Sequence, residues 1–433
     1  MLTVISATGR TRQSWHASAT RTAVLPLCLG NAVQWYDFAL YGAFASVIGP
    51  VFFPAEDPST VLLAAFAVYG TALIIRPVGA VFFGRMADFH GRRAVFVPII
   101  VLMAGATAAV GFLPGYAVIG VLAPITLLLL RAIQGLAAGG ELGVAGVLIF
   151  ERAPSQQRGQ FSSWHTATLA LGLGVGMAVA AALLVAQRTH PLDVGWWRLA
   201  FILALPLGLV ARFVRRRVSE TSQFLAVQQS GHLIKHPIPT LWANDRLAML
   251  RGFALIAAGS LAFNTFFVFM PNHLAATRKL DLVATLSITA ATLAVAAAAA
   301  LALGRLSDAV GRRPVAIWSA LGLAVLAGPM AILASASQLG LLIGQLIMGA
   351  VLAGVLLVAM VGELFPAPLR STGMSITAGL ATALVGGTAP VVDQILVTVS
   401  RFDFAPGLYV SLVACLALAA LRRWPESAFR PAV

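Results

Sequence analysis

The sequence predicts an all-α membrane protein with twelve transmembrane helices in two pseudo-symmetric halves of six. Three observations carry that expectation. Of the 433 residues, 59% are hydrophobic and only 10% are charged, with a mean hydropathy of +0.91. A soluble domain carries charge on about a quarter of its residues, so this chain cannot cover a water-facing surface. Apolar stretches near the roughly 20 residues needed to cross a hydrocarbon core recur twelve times. Finally, the polar segments between these stretches repeat from the first half of the chain to the second.

Taken in order, the spans fall near residues 24–53, 58–83, 94–113, 121–150, 159–186 and 196–214. Six more follow near 249–273, 281–303, 314–334, 338–363, 371–399 and 405–421. Arg10, Arg12 and Arg21 precede an apolar stretch far longer than a signal-peptide core, so the first span is expected to be retained. Residues 215–248 are the one long polar insertion. They divide the chain into an N-terminal half (1–214), a linker and a C-terminal half (249–433).

Charge placement sets the expected orientation. The termini and even-numbered loops hold 22 of the 29 lysines and arginines, whereas the opposite loops hold five: Arg188, Arg198, Arg278, Lys279 and Arg401. The remaining two, Arg76 and Arg131, fall inside spans. By the positive-inside rule both termini and the linker face the cytoplasm. Arginine outnumbers lysine 27 to two, a bias expected of a GC-rich bacterial coding sequence, which places the chain in a bacterial plasma membrane. The net charge of +14 does not read as a nucleic-acid surface, because the basic residues are scattered through short loops. Cys28 and Cys415 lie in apolar segments near opposite ends and show no metal-ligand spacing, so no metal or other cofactor is expected.

"FFGRMADFHGRR" runs from Phe82 to Arg93, and a near copy, "LGRLSDAVGRRP", runs from Leu303 to Pro314. Gly84, Asp88, Gly91, Arg92 and Arg93 match Gly304, Asp308, Gly311, Arg312 and Arg313. A second echo pairs Glu151 and Arg158 with Glu363 and Arg370, each seven residues apart. As mere topology signals the arginines suffice, but acids contribute little to orientation. A carboxylate can instead cap a neighbouring helix N-terminus and pair with arginines. The two knots therefore read as conformational latches that also involve Glu151 and Glu363, near Arg92 and Arg312 respectively. Duplicated six-helix halves are what a rocking carrier requires, with its site at the midplane between them.

Ionisable groups at bilayer depth cost at least about 2.5–3.5 kcal/mol on insertion scales, which makes each a functional candidate. Asp37 in span 1 reads as a proton site, or as the partner of a buried arginine. Arg131 and Gln134 share one face of span 4, beside Gly135, Gly139 and Gly140. A guanidinium grips a carboxylate through two bonds, so Arg131 and Gln134 are candidate substrate ligands. Asn264 in span 7 and Gln345 in span 10 join them, although amides also hold helices together. Glu141 and His165 are further proton candidates, and each also reads as a structural hydrogen-bonding residue. Arg76 attracts an anion or snorkels towards headgroups. Asp393 in span 11 has no sequence partner.

"GRMADFHGRR" resembles the signature loop of the major facilitator superfamily, and its recurrence at the matching loop strengthens the likeness. "GNAVQWYDFALYG" (Gly30 to Gly42), "RAIQGLAAGGELGVAG" (Arg131 to Gly146), "WWRLAF", "ETSQF" and "ELFPAPLRSTG" resemble the metabolite:proton symporter family within it. The likeness covers essentially the whole chain. It implies a secondary transporter, not an enzyme, that imports a small organic solute with protons and is sufficient as a monomer. A carboxylate such as citrate or 2-oxoglutarate is the implied cargo. A proline or betaine importer and a drug–proton exporter are the rival readings. Members commonly carry Glu where this chain has Gln34, which leaves Asp37 as the carboxylate on that stretch.

Overall fold

The computed structural model describes residues 27–28, 30–54, 58–189, 195–215, 220, 222–230, 237–356 and 358–424. These are helical throughout, with short turns between helices. Among the described residues, nine helices are long and apolar enough to cross a membrane: Leu63–His90, Ala94–Phe112, Leu122–Arg152, Ser155–Thr189, Arg246–Thr277, Leu282–Val310, Arg312–Ala336, Gln338–Gly362 and Ala367–Ser400. They are spans 2–5 and 7–11. Ala405–Leu421 is span 12. Span 1 occupies residues 30–52 with a turn at Phe44, and span 6 is the pair Arg198–Ile202 and Ala204–Arg215. The protein is thus a twelve-helix membrane bundle.

The knots are more helical than their composition suggests. The second half of span 2 continues from Arg76 to His90 and stops only at Gly91. Span 8 likewise runs to Val310 and stops at Gly311. Gly91 and Gly311 have φ of 91° and 106°, a region closed to most side chains. The chain therefore reverses on one glycine at each knot, and Asp88 and Asp308 are carried by the last helical turn. Within the linker, Ser222–Gln229 and Pro237–Asn244 form two short helices.

Among the described residues, three spans contain a π turn: Leu142–Gly146 in span 4, Thr265–Phe269 in span 7 and Thr382–Gly386 in span 11. Each adds one residue to the regular α ladder.

Helix packing follows the small residues. Spans 2 and 4 lie backbone against backbone: a Cβ added at Gly135 would fall 2.1 Å from the Ala72 carbonyl, and one at Gly139 2.1 Å from that of Arg76. Any side chain at either position forces the two helices apart, the small-residue logic of lipid-embedded bundles.

Two long seams join the halves. Span 5 follows span 8 from Gly159, against Gly304, through Gly174, against Ala290, to the Arg188–Asp281 ion pair. Span 2 follows span 11 through Gly84 against Ser375, Gly379 against Pro77 and Gly70 against Gly387. The Arg188–Asp281 pair closes the face opposite the knots and is solvent-exposed. The Arg188 guanidinium hydrogen-bonded to Asp281 holds that carboxyl below the usual carboxylate range. The contact is therefore intact at neutral pH and is lost as pH falls through that lowered value.

Candidate transport site

Between the halves, on the knot side of the bundle centre, lies a cavity of about 110 Å³. A single water needs roughly 10–15 Å³ measured in this way, so the space suits a small organic molecule. From the N-terminal half it is lined by Asn31, Gln34, Trp35, Arg76, Glu141 and His165; Ser260, Phe263 and Thr382 face them from the C-terminal half. Trp35 and Phe263 meet edge to face at 5.6 Å across the divide. Asn31 is fixed by donating to the His165 carbonyl at 2.8 Å and the Thr168 hydroxyl at 3.1 Å.

Arg76 stands out chemically. It is 6% exposed, lines the cavity, and its Nε and Nη2 have no hydrogen-bond partner. Aromatic faces flank the guanidinium, 5.3 Å from the Trp35 ring centroid and 4.7 Å from that of Phe38. Stacking leaves the in-plane N–H donors free, and buried donors without acceptors are costly. Local structure sets the position: span 2 breaks at Ile75 and restarts at Arg76, with Pro77 in the first turn of the new helix.

The four side chains expected to grip substrate do not line this cavity. Arg131 donates to Asp37 at 2.9 Å and lies 3.9 Å from the Tyr41 ring centroid. Gln134 donates to the other Asp37 oxygen and to Thr107, both at 2.9 Å. Spans 1, 3 and 4 are thereby tied into one buried polar node. Asn264 accepts from Tyr69 at 3.1 Å and donates to the Ser260 carbonyl at 2.8 Å. Gln345 donates to Phe266 and Thr289 and accepts from Thr292, at 2.8–3.0 Å. Every amide group of Gln345 is therefore spent on helix association. Of the proton candidates, Glu141 and His165 line the cavity, whereas Asp37 sits behind its wall.

Phe38 connects the two locations. Its ring lies 4.7 Å from the Arg76 guanidinium and 6.0 Å from that of Arg131.

The knots make the cross-half contacts that close this side. Asp88 accepts from the Thr372 hydroxyl of span 11. Asp308 accepts from the backbone N–H groups of Gly159 and Gln160 at 2.9 and 2.8 Å, capping the first turn of span 5. Asp308 also binds Arg312 at 2.8 Å, and Arg312 binds Glu363 at 2.7 Å. Glu151 pairs with Arg370 of the other half at 3.3 Å. Arg313 departs from expectation: it donates to the carbonyls of Leu421 and Arg422, fastening span 9 to the end of span 12 within one half. Gly84 also departs, because a Cβ there would make only ordinary contact at 3.5 Å, whereas at Gly304 it would fall 2.4 Å from Ser163. The side chains of Arg92 and Arg93 lie outside the described residues.

Hydrogen bonds to a charged group contribute about 1.5–3 kcal/mol each. Asp308→Asn and Asp88→Asn are therefore expected to cut transport at least tenfold while leaving solute affinity within about threefold. Uptake rate and equilibrium binding on the same purified proteins check this; full rates in both variants would reduce the knots to topology signals.

A twelve-helix bundle with a small cavity between its two halves, a few polar side chains set among apolar ones, defines a membrane carrier of small solutes. Residues 27–390 match the model of the Major Facilitator Superfamily, and the chain belongs to that superfamily. It is a transporter and not an enzyme. It is 31% identical to the proline/betaine transporter of Salmonella typhimurium over 95% of this chain and 84% of that one. It is 32% identical to the alpha-ketoglutarate permease of Escherichia coli K12 over 91% of each chain. Identity to the citrate-proton symporter of Klebsiella pneumoniae is 30% over 92% of this chain and 90% of that one. The fold matches that of the proton:xylose symporter XylE bound to 6-bromo-6-deoxy-D-glucose, with TM-score 0.79 at 18% identity over 95% and 97% of the two chains.

In the sequence Arg76 was a charge inside a span that either attracts an anion or snorkels, with nothing to decide between the two. What singles it out, the absence of a partner in a cavity, is a three-dimensional property. Trp35 and Phe263 carry no sequence signal that separates them from core aromatics.

Proposed function

We propose that this transporter imports a small organic carboxylate, of the kind represented by citrate or 2-oxoglutarate, together with protons by alternating access. The observation that carries the reading is Arg76, a buried cation in the cavity with donors to spare. A solute carboxylate there supplies the planar, two-point acceptor that a guanidinium fits. Asn31, Gln34 and Ser260 offer further hydrogen bonds to the solute body.

Coupling runs through Phe38 in this reading. Drawing Arg76 towards a solute shifts the ring that both guanidinia flank, which loosens Arg131 from Asp37 and lets Asp37 take a proton. Release of solute restores the pair and expels the proton. The printed names of the citrate-proton symporter and of the alpha-ketoglutarate permease support this reading.

A second reading, import of a zwitterion such as proline or betaine, is favoured by Glu141 and by the Trp35–Phe263 aromatic pair in the same cavity. An acid and a π face suit a cationic ammonium, and the proline/betaine transporter is among the relatives. Proteoliposome uptake of citrate, 2-oxoglutarate, proline and glycine betaine, with and without an inward proton gradient, separates the two. Gradient-driven accumulation of a dicarboxylate or tricarboxylate supports the first. Uptake restricted to the zwitterions replaces it with the second, and no gradient dependence for any solute removes proton coupling.

In the proposed orientation the knot face, both termini and residues 215–248 are cytoplasmic, as the charge asymmetry requires. A reporter fused after Arg217 is expected to be active only in its cytoplasmic form. Activity in a periplasmic reporter there would invert the orientation.

A further inference from the structure

The described part of the bundle holds a second buried carboxylate that the cavity and the polar node do not use. Asp393 of span 11 is 0% exposed. Its Oδ2 accepts from the Thr265 hydroxyl at 2.7 Å, and its Oδ1 has no hydrogen-bond partner. Thr265 opens the π turn of span 7, so one oxygen meets an irregular stretch of helix and the other has no hydrogen-bond donor among the described residues.

Charge balance around Asp393 differs from that around Asp37. Span 12 presents Tyr409, whose phenol feels the carboxylate. Span 7 presents the Thr265 hydroxyl, and its neighbour Asn264 is engaged with Tyr69 of span 2 and with Ser260. At the opposite-face end, His273 and Arg278 are both bound to Asp403. Among the described residues no arginine, lysine or histidine pairs with Asp393. An ionised carboxylate in apolar surroundings costs several kcal/mol unless paired, and a single hydroxyl does not offset that. A proton on Oδ1 removes the charge.

We infer that Asp393, hydrogen-bonded by Thr265 and lacking any cationic partner, is a second proton-carrying site in the C-terminal half, separate from the Asp37–Arg131 pair. The site lies seven residues from the end of span 11 on the opposite face, about 10 Å at 1.5 Å per residue. A proton entering from that face reaches it without passing the solute cavity. Loading and unloading follow the π turn: any rearrangement there carries Thr265 and alters the exposure of Oδ1. Each half then has its own titrating carboxylate, and the cycle moves two protons per solute.

The inference rests on the proton-coupled reading, and the test keeps the two failures apart. In proteoliposomes with the membrane potential clamped at zero, each coupled proton raises the limiting accumulation ratio by the full transmembrane proton ratio. At a gradient of one pH unit that is about tenfold per proton. Wild type should approach about a hundredfold, and Asp393→Asn about tenfold with counterflow at equal pH retained. Thr265→Val keeps the carboxylate and the side-chain shape but removes the hydroxyl that favours its ionised form. It should move the pH midpoint of uphill uptake to higher pH while leaving counterflow unchanged. Absence of gradient-driven accumulation in wild type would sink proton coupling itself. A coupled wild type whose accumulation limit is unchanged in Asp393→Asn, or whose pH midpoint is unchanged in Thr265→Val, would overturn the second site alone.

Discussion

Arg76→Gln is expected to weaken solute binding by two orders of magnitude and to leave the fold intact. The guanidinium has no protein acceptor at Nε or Nη2, so its removal strands no carboxylate. The stacking on Trp35 and Phe38 is replaced by a shorter amide that still fits the space. What disappears is the charge-assisted contact to the solute. Two such hydrogen bonds at about 1.5–3 kcal/mol each correspond to at least a hundredfold in affinity. Arg76→Lys should recover only part of this, because an ammonium is a point charge without a planar fork. Isothermal titration with purified protein, alongside a melting curve, reads both quantities. Unchanged affinity in Arg76→Gln would remove the anchor and move the solute elsewhere in the cavity.

The second large effect is expected at the pair behind the wall. Asp37→Asn should lower the limit of uphill uptake about tenfold at a gradient of one pH unit, the share of one coupled proton, while preserving counterflow at equal pH inside and out, since the amide cannot exchange a proton. It also leaves Arg131 buried opposite a neutral group, and breaking a buried pair costs about 3–5 kcal/mol. A lower yield of folded protein is therefore expected, with Asp37→Asn combined with Arg131→Gln regaining stability but not coupling. Gln34→Glu restores a carboxylate to the cavity three residues before Asp37 and should steepen the pH dependence of uptake. An accumulation limit unchanged in Asp37→Asn would direct the search to Glu141 or His165, both of which already line the cavity.

Much of the architecture was legible because lipid enforces it. The number and length of the spans follow from bilayer thickness and charge cost, which act on sequence locally. The duplicated knots were legible as well, down to the Arg312–Glu363 contact. The solute ligands were less so. Arg131, Gln134, Asn264 and Gln345 were marked by polarity at membrane depth, but that property is shared by groups that face a cavity and groups that satisfy one another. Each of the four is engaged with a neighbouring helix, and that engagement spans 27 to 97 residues of sequence for Gln134 alone. One partner of Glu151 was missed for a similar reason. Arg370 lies 219 residues away in the other half, and no local pattern joins them.

The π turns reset the angular bookkeeping of the helices that contain them. An extra residue rotates everything that follows by about 100° relative to an unbroken α wheel. Glu151 follows the turn in span 4, His273 the turn in span 7 and Asp393 the turn in span 11. Their observed partners are Arg370, Asp403 and Thr265. A straight wheel drawn through any of these spans would aim the side chain about a quarter-turn away from its partner. A one-residue deletion inside such a turn would restore the regular α ladder and leave the far end aimed as it is, whereas the same deletion elsewhere in the span would swing every later side chain by about 100°, so in these three helices the place of a change in length matters more than the change itself.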